Sequence, residues 1–467
     1  MRCTLSFGVA LAALSVVETA VAKSSFSIDS TAPADIKTTA AAIAYDLMSL
    51  YKGNQSGQVP GILPGPPPQG LYYWGSAGTM WQFLIDYWYY TGDSSYNDVI
   101  MQALMWQRGD KDNFMPANFT NTMGNDDQGV WATAAMAAAE RGFPNPPADT
   151  KLSWVSMVET VFNEYVERWD TKTCDGGLRW QIIPFNNGYN YKNSVSNGFL
   201  FSLSARLARY TGNKTYADWA EKTWNWAEQV AFIDNSTSAV YDGAHVETSC
   251  KKVNKVQFSM NNAIFVLGAS YMYNYTNGDS KWRTRASGLI DNGVKTFFPK
   301  GIAFEASCEK QNRCNPDMTF YKGVTHQWWS VATTLAPFTS EKVLPVLKTS
   351  AAAAVKSCNG GSSGRLCEFS WSDEKGGKSG GAGEEFSALA AVTGLLVGEK
   401  GGPFTAKSGG GSGSGGNGGN GGDGKSDNST SGGSDKGKDS AAGKVGAGVV
   451  GLMVVSVGTM LVSVLAL

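Results

Sequence analysis

Apolar residues recur at helical spacing through most of the chain between about residues 31 and 400. Breaks rich in Gly, Pro and Asn interrupt this pattern, and each break ends one amphipathic segment before the next begins. The segments between the breaks predict twelve helices. We expect these helices to begin near residues 31, 76, 94, 125, 151, 195, 214, 258, 279, 325, 339 and 384.

One type of junction recurs between these segments. In 90–96, 210–216 and 275–282 an aromatic residue closes a helix, a Gly follows, and a Ser, Thr, Asp or Asn is placed to cap the next helix. Gly142 and Pro337 lie at comparable junctions. The repeating unit is therefore a helical hairpin of roughly 50–70 residues, and twelve helices make six hairpins.

Six helical hairpins can close into a ring, so we predict an all-α fold, an (α/α)₆ toroid that occupies residues 23–400. The Ala-rich, charge-poor segment 131–139 suits an inner helix that is buried on all sides, whereas the charged segment 218–229 suits the outer ring. An open helical solenoid is the alternative. It would need polar capping repeats at both ends, and the sequence has no recognisable ones.

The first 22 residues have the layout of a secretory signal peptide. Met1-Arg2 precedes the apolar run 5–17, and Ala20-Val21-Ala22 is a small-residue cleavage site, so the mature chain should begin at Lys23. Six N-x-S/T sequons agree with a secretory route, although each match alone is weak. The expected glycosylation sites are Asn54, Asn118, Asn213, Asn235, Asn274 and Asn428.

After residue 400 the composition changes. Residues 401–444 are almost entirely Gly, Ser, Asn, Asp and Lys, which cannot bury enough apolar surface to fold, so we expect a disordered stalk. Residues 445–467 are apolar and uncharged. Ser431 begins a triplet of small residues ahead of this tail, the arrangement of a cleaved GPI-anchor signal. Attachment at Asn428 and a plain tail-anchored helix are the alternatives.

Charge and composition limit the classes of function that the chain can have. The chain has 39 Lys and Arg against 40 Asp and Glu, a formal net charge of −1, which argues against a nucleic-acid partner. It carries 15 Trp, and only 17% of its residues are charged. Many amphipathic rings and few ions are typical of secreted proteins that handle carbohydrate.

Seven cysteines are present, and Cys3 would leave with the signal peptide. The remaining six form an even set in an oxidising compartment, which predicts three disulfides. A zinc site is the weaker alternative, since the chain has no C-x-x-C pair and only two histidines. Proximity in sequence favours Cys308 with Cys314 and Cys358 with Cys367, which leaves Cys174 with Cys250.

In a toroid the N-termini of the inner helices gather around one mouth. At these positions the sequence is rich in carboxylate, amide and aromatic groups, which are the groups that bind sugar hydroxyls and stack on pyranose faces. The segments concerned are 72–76, 125–128, 190–193, 259–262, 325–329 and 383–386.

Asp126 and Asp127 stand together at the predicted start of one inner helix. Asp is a favoured capping residue, but one Asp would suffice for a cap. Glycoside hydrolysis needs two carboxyl groups, and adjacent residues favour the shorter separation of a retaining enzyme. Two like charges would also hold their pKa values apart, as an acid and a nucleophile require. Neighbouring helix positions point about 100° apart, so the sequence alone does not place both groups at one bond.

The stretch 124–128, together with 73–75, 180–181, 197–198 and 320–323, resembles glycoside hydrolase family 76, the endo-α-1,6-mannanases. The similarity covers about residues 25 to 400 and is closer still to the fungal GPI-anchored mannosidase-like branch of cell-wall assembly. The resemblance implies an (α/α)₆ barrel, a retaining mechanism, Asp126 as nucleophile, Asp127 as general acid/base, and neither metal nor cofactor.

The same resemblance implies an α-mannoside or GPI-core glycan as donor and cell-wall glucan as acceptor, hence a transglycosylase. The protein is then expected as a monomer, held by a GPI lipid at the outer face of the plasma membrane and in the cell wall. A non-catalytic mannan or GPI-glycan receptor on the same scaffold is the alternative function.

Further residues near the expected mouth are interpreted as substrate contacts. Trp328-Trp329 is at least as often core packing as a stacking platform. Glu384-Glu385 is interpreted as a helix start rather than a second catalytic pair. The expected substrate-binding set is Tyr73, Trp74, Asn125, Gln128, Trp180, Gln181, Asn197, Asn262, Lys322, His326 and Trp329.

Overall fold

The computed structural model describes residues 26–372 and 380–408. Twelve α-helices form within these residues, each beginning within four residues of its expected start. They are α1 Pro33–Leu50, α2 Trp74–Thr91, α3 Asn97–Gln107, α4 Asn125–Arg141, α5 Trp154–Glu167, α6 Ser194–Thr211, α7 Lys214–Gln229, α8 Ser259–Tyr275, α9 Ser280–Phe297, α10 Tyr321–Leu335, α11 Ser340–Lys356 and α12 Ala382–Thr393.

The even-numbered helices form a closed inner ring. Each packs on the next, from α2 on α4 through to α10 on α12, and α12 packs back on α2. The odd-numbered helices lie outside, each against the inner helix that precedes it, and α1 covers α12. The predicted (α/α)₆ toroid is confirmed, and the two ends of the folded body meet to complete its sixth hairpin.

The junctions form as the sequence predicted. Gly92 ends α2 and Gly212 ends α6 with φ of 85° and 77°, the left-handed region that a residue without Cβ adopts without strain. Asn213 then caps α7, because its side chain accepts a hydrogen bond of 2.9 Å from the Thr215 backbone N–H.

Burial follows the two rings. Inner helix α4 is buried along most of its length, and its Trp131 is fully buried, with the Trp74 ring stacked at a centroid distance of 4.9 Å. Outer helix α7 buries one face through Ala217, Ala220 and Trp224. Each large side chain removed from water contributes about 1.5–3 kcal/mol, so the inner ring is the main source of stability.

The inner helices begin at one end of the barrel, which we call the mouth, and finish at the other, which we call the closed end. Gly75, Asp126, Val195 and Met260 belong to the first turns of α2, α4, α6 and α8 and line one cleft. The closed end is defined by Asp86, Glu140, Arg141, Arg206 and Tyr271, which lie near the other ends of the same helices.

A small antiparallel sheet was not predicted. Its strands are β1 Tyr191–Asn193, β2 Gly243–His245 and β3 Val253–Asn254, in the order β1-β2-β3. They come from the loops that precede α6 and α8, so the sheet stands beside the mouth. The segment 190–193, expected to begin a helix, instead forms β1, and α6 starts directly after it.

The three expected disulfides are present: Cys174–Cys250, Cys308–Cys314 and Cys358–Cys367. The folded body continues past the expected boundary at residue 400, since the Phe404 N–H donates to the Glu140 carbonyl at 2.8 Å. Among the described helices, none is long and apolar enough to cross a membrane. The predicted signal peptide 1–22, most of the stalk, Asn428, Ser431 and the tail 445–467 lie outside the described residues.

Candidate active site

A cleft of about 560 Å³ opens at the mouth. Its walls carry seven aromatic rings and four carboxyl groups, and none of the described residues that line it is Lys, Arg or His. The aromatic residues are Tyr73, Trp180, Tyr191, Phe199, Phe258, Phe320 and Tyr321, and the acidic residues are Asp126, Asp127, Asp242 and Asp317.

Asp126 lies in the first turn of α4 and faces residues 178–182, a segment that leads towards β1 and that we call the strap. Its Oδ2 accepts a hydrogen bond of 3.0 Å from the indole Nε1–H of Trp180. Its Oδ1 is buried without a hydrogen-bond partner among the described residues. A side chain at Gly124 would overlap this oxygen, so glycine is required for Asp126 to adopt this position.

Asp127 turns towards α2. Its Oδ2 accepts the Gly124 backbone N–H at 2.9 Å, which caps α4, and a Cβ on Gly75 would lie 2.6 Å from its Oδ1. The capping role that the sequence left open therefore belongs to Asp127, while Asp126 makes no cap bond. The pair diverges from one helical turn, with Asp126 on the Trp180 side of the cleft and Asp127 on the Gly75 side.

Both carboxyl groups hold protons more tightly than an ordinary Asp. Burial raises the pKa of Asp127 to about 6, bonds from Gly124 and Gly75 lower it, and the charge of Asp317 raises it. Burial also raises the pKa of Asp126, and the charge of Asp127 adds to this effect. The raised pKa of Asp127 suits the exchange of a proton in the mildly acidic range, as general acid/base catalysis requires.

The strap positions Trp180 and Gln181 in the cleft wall. Asn197 holds its first residue, with Oδ1 accepting the Leu178 N–H at 2.8 Å and Nδ2 donating to the Leu178 carbonyl at 3.1 Å. The Asn125 side chain donates to the Arg179 carbonyl at 2.9 Å, and its backbone N–H donates to the Trp180 carbonyl at 2.8 Å. The structure thus makes Asn125 and Asn197 supports of the strap, because their amides are already bonded within the protein.

Several other expected contacts lie behind the cleft wall. Trp74 is buried and donates to Gln107 Oε1 at 2.8 Å. Gln128 donates to the Asn113 carbonyl at 2.7 Å, and Asn262 donates to the Leu289 carbonyl at 2.8 Å. These polar groups already have partners inside the fold, so the structure does not place them against a substrate.

The residues expected from α10 are also internal. His326 is fully buried, its Nδ1 lies 2.7 Å from the Lys322 carbonyl, and burial lowers its pKa to about 4, so the ring is neutral at pH 7. Lys322 bonds Glu309 at 3.2 Å, and Trp329 packs against Phe298. The core-packing alternative for Trp329 is correct. α10 begins four residues earlier than expected, which places these side chains deeper in the barrel.

The helix-start interpretation of Glu384-Glu385 is also supported. Glu384 accepts the Gly381 backbone N–H at 2.8 Å and caps α12. Glu385 is fully buried and accepts the Cys367 backbone N–H. Neither residue lines the mouth cleft.

Of the expected residues, Asp126, Asp127, Tyr73, Trp180 and Gln181 meet in the cleft. Tyr73 is 51% exposed and Trp180 36%, which leaves both rings available to a sugar.

Several cleft residues were missed or left out of the expected set. Asp242 follows Tyr241 in the unpredicted sheet region and accepts the Tyr191 hydroxyl at 2.7 Å. Asp317 lies in a short 3₁₀ helix, Pro316–Phe320, directly before α10. Asn261 lines the cleft although its neighbour Asn262 does not. An Asn-Pro-Asp sequence at 315–317 is a helix-start signal that would have placed Asp317 at the mouth.

Comparison with known proteins identifies the family of this chain. The family model described as glycosyl hydrolase family 76 matches residues 35–407. The mannan endo-1,6-alpha-mannosidase DCW1 of Saccharomyces cerevisiae is 43% identical over 79% of this chain and 81% of its own length. The Candida albicans protein of the same name is 42% identical over 79% and 82%.

Solved structures agree as well. The crystal structure of Dfg5 from Chaetomium thermophilum in complex with glucosamine is 48% identical, with a TM-score of 0.79 over 82% of this chain and 94% of that one. An inactive variant of an α-1,6-mannanase from Salegentibacter sp. in complex with α-1,6-mannotriose shares the fold, with a TM-score of 0.62 over 78% and 100% at 16% identity. The family expected from the sequence is confirmed, and the chain belongs to glycosyl hydrolase family 76.

Proposed function

We propose that this protein is a retaining glycosidase or transglycosylase that acts on α-1,6-linked mannosides. The observation that carries the proposal is the pair Asp126 and Asp127, which lies in an aromatic cleft and turns its two carboxyl groups towards different sides. Relatives named mannan endo-1,6-alpha-mannosidase, at 42–43% identity over 79% of the chain, support the substrate class.

In the first step we assign Asp126 as nucleophile. One of its carboxylate oxygens forms a bond to the anomeric carbon while the bond from that carbon to the leaving oxygen breaks. Asp127 gives its proton to the leaving oxygen. In the second step an acceptor hydroxyl loses its proton to Asp127 and attacks the same carbon, so the ester to Asp126 breaks. The configuration at the carbon is retained.

Two neighbouring groups, Trp180 and Asp317, support this division of roles. The Trp180 indole N–H favours the ionised form of Asp126 and partly offsets the rise in pKa that burial and the charge of Asp127 cause. The neighbouring charge of Asp317 favours the protonated form of Asp127. Water as acceptor gives hydrolysis, and a sugar hydroxyl gives transfer.

The acidic walls support a finer substrate assignment. A cleft with four carboxyl groups and no basic residue among its described lining attracts a cationic sugar and repels an anionic one. The similar Dfg5 structure was solved with glucosamine, an amino sugar whose ammonium group carries this charge. Both observations support a GPI-core glycan with an unacetylated glucosamine as donor, and cell-wall glucan as the neutral acceptor.

The same proposal places the protein outside the cell. The signal peptide 1–22 directs it to the secretory route, and the GPI lipid at Ser431 holds it at the plasma membrane beside the wall. It acts as a monomer, without a nucleic-acid partner. Release of the body from intact cells by a phosphatidylinositol-specific phospholipase tests the anchor, with a known GPI protein as control. Retention on the cells while the control is released would contradict it.

The activity is tested with the soluble body, a defined α-1,6-mannoside and a GPI-core glycan, with glucan oligosaccharides present or absent and products read by mass. We expect cleavage of the mannosidic bond and, with glucan, a transfer product. Asp127→Asn should keep part of its activity on an aryl α-mannoside, whose leaving group needs little protonation, and azide should rescue it with retained configuration. Binding without turnover in the parent protein would instead support the receptor alternative.

A further inference from the structure

A third carboxyl group approaches the catalytic pair from another element. Asp317 belongs to the 3₁₀ helix Pro316–Phe320, whose first turn is capped by Asn315 Oδ1 accepting the Met318 N–H at 3.0 Å. This helix packs closely on α12, because a side chain at Gly383 would overlap the Thr319 hydroxyl. Asp317 is therefore held on a fixed support at the edge of the cleft.

One turn of α2 connects Asp317 to Asp127. The Ser76 hydroxyl donates to Asp317 Oδ1 at 3.4 Å. The backbone of the preceding residue, Gly75, lies against the Asp127 carboxyl group, and the lack of a Cβ there leaves room for Asp127 Oδ1. The two carboxyl groups thus share neighbouring residues of α2 while they belong to different helices.

We propose that Asp317 is a positioning residue for the catalytic proton, whose negative charge keeps that proton on Asp127 until the leaving oxygen takes it. The inference rests on the proposed acid role of Asp127. The proton moves from Asp127 to the leaving oxygen and returns from the acceptor hydroxyl, and Asp317 keeps its own protonation through both steps.

The other groups around Asp127 do not supply the same effect. None of the described cleft residues is basic, so no cation offsets the charge of Asp317. Asp126 carries a like charge only until it forms the glycosyl ester, whereas Asp317 stays beside Asp127 through both steps, and α8 contributes only neutral residues to the cleft. The titratable groups that surround Asp127 are Asp126 on α4, Tyr165 on α5, Tyr73 before α2, Tyr191 and Asp242 at the sheet, Asp317, and Tyr321 on α10.

The charge of Asp317 itself depends on pH. Burial raises the pKa of Asp317 to about 6, and the Ser76 bond lowers it. Above this pH Asp317 is ionised and raises the pKa of Asp127, so it extends the alkaline limb of the pH–rate profile. Below this pH both groups are protonated, and Asp317 has little influence on the rate.

The test compares the pH dependence of kcat/KM for the parent and Asp317→Asn on an unactivated α-1,6-mannoside. The alkaline limb should move down by about one pH unit, so the rate one unit above the parent limb falls about tenfold while the rate at low pH stays within a few-fold. Asp317→Glu should return the limb towards the parent. Asp242→Asn removes the same charge from the sheet side of the cleft and should leave the limb in place.

Two further readouts separate this inference from the proposed function. On an aryl mannoside with a good leaving group, the Asp317→Asn effect on the first step should disappear. Carbon-13 titration of labelled aspartates, with Asp127→Asn used to assign the Asp127 signal, should show the same downward shift of its pKa without any turnover. An unchanged limb and an unchanged Asp127 titration would overturn the inference, even if the protein is an active mannosidase. If Asp127→Asn kept full activity on the unactivated α-1,6-mannoside, the proposed acid role of Asp127 would be overturned instead.

Discussion

At the closed end of the barrel, Asp86 lies 2.8 Å from Arg141 and Glu140 lies 2.7 Å from Arg206. At the mouth, Asp126 and Asp127 are also largely removed from solvent, yet no basic residue lines the described part of the cleft. Both ends bury carboxyl groups on the same six inner helices. Only the closed end supplies an arginine for each of them.

The difference follows from the direction of the inner helices. At the mouth, the first-turn N–H groups and the positive ends of the helices can hold a carboxyl group without a cation. At the closed end the helices present their carbonyl groups, so a buried acid needs an arginine. Burial raises the pKa of Asp86, and the charge and hydrogen bond of Arg141 lower it only in part. Carboxyl groups without arginine partners are free to change protonation, which suits the mouth for the proposed acid/base chemistry.

The largest effect is expected from removing one mouth carboxylate. Asp126→Asn should lower turnover of every mannoside by about 10⁴-fold or more, because no glycosyl ester can form. Its thermal unfolding temperature should match the parent, since Asp126 makes no cap bond. A folded variant with nearly full activity would remove Asp126 from the mechanism.

The opposite result is expected at the closed end. Arg206→Met should lower the free energy of unfolding by about 3–5 kcal/mol, because Glu140 would remain buried with only the Tyr271 hydroxyl at 2.8 Å. The kcat of the remaining folded enzyme should stay close to the parent value. Urea unfolding measures the loss, and a change below about 1 kcal/mol would show that the ion pair is not needed there.

The raised pKa of Asp127 at the mouth should also change how the free energy of unfolding depends on pH. The folded pKa of Asp127, about 6, lies above the ordinary Asp value of 3.8, so the folded state binds the proton more tightly than the unfolded state. Its contribution is therefore most favourable at low pH and is lost as the pH rises through about 4 to 6. Relative to Asp127→Asn, the parent should lose about 1–3 kcal/mol between pH 4 and 7. Parallel stability curves for the two proteins would contradict the raised pKa.

The smallest predicted effect distinguishes two neighbouring residues of α8, Asn261 and Asn262. Asn261 lines the cleft with its Nδ2 unbonded among the described residues, whereas Asn262 bonds the Leu289 carbonyl. Asn261→Ala should raise KM by roughly fivefold, about 1 kcal/mol, with little change in stability. Asn262→Ala should instead lower stability by about 1–3 kcal/mol with KM unchanged. If Asn262→Ala raised KM and Asn261→Ala lowered stability, Asn262 rather than Asn261 would face the cleft.

Asn261 and Asn262 also show which features of the fold and the site can be predicted from the sequence. Helix periodicity and capping residues are local signals, so twelve helices and their order were predictable. Whether Asn261 or Asn262 faces the cleft depends on a rotation of about 100° per residue, which a boundary error of one residue reverses. The same error in α10 made His326 and Trp329 expected contacts, although the structure buries both.

The remaining cleft residues depend on tertiary structure. Asp242 and Tyr191 reach the mouth only because strands from two separate loops pair, and such short strands have no clear periodic pattern. Asp317 reaches it because a 3₁₀ helix after the Cys308–Cys314 loop packs on α12. Asp126 and Asp127 were identifiable because two adjacent acids exceed what one helix cap needs.

The most direct test of the account is to trap the covalent intermediate. A fluorinated α-mannosyl donor with a good leaving group forms a long-lived ester with a retaining enzyme, and the labelled residue is read by peptide mass. We expect one mannosyl group on Asp126, which should still form in Asp127→Gly because the leaving group needs little protonation, and which should be absent in Asp126→Asn. A label on another residue, or turnover of the parent with inverted configuration and no label, would contradict the role of the Asp126–Asp127 pair.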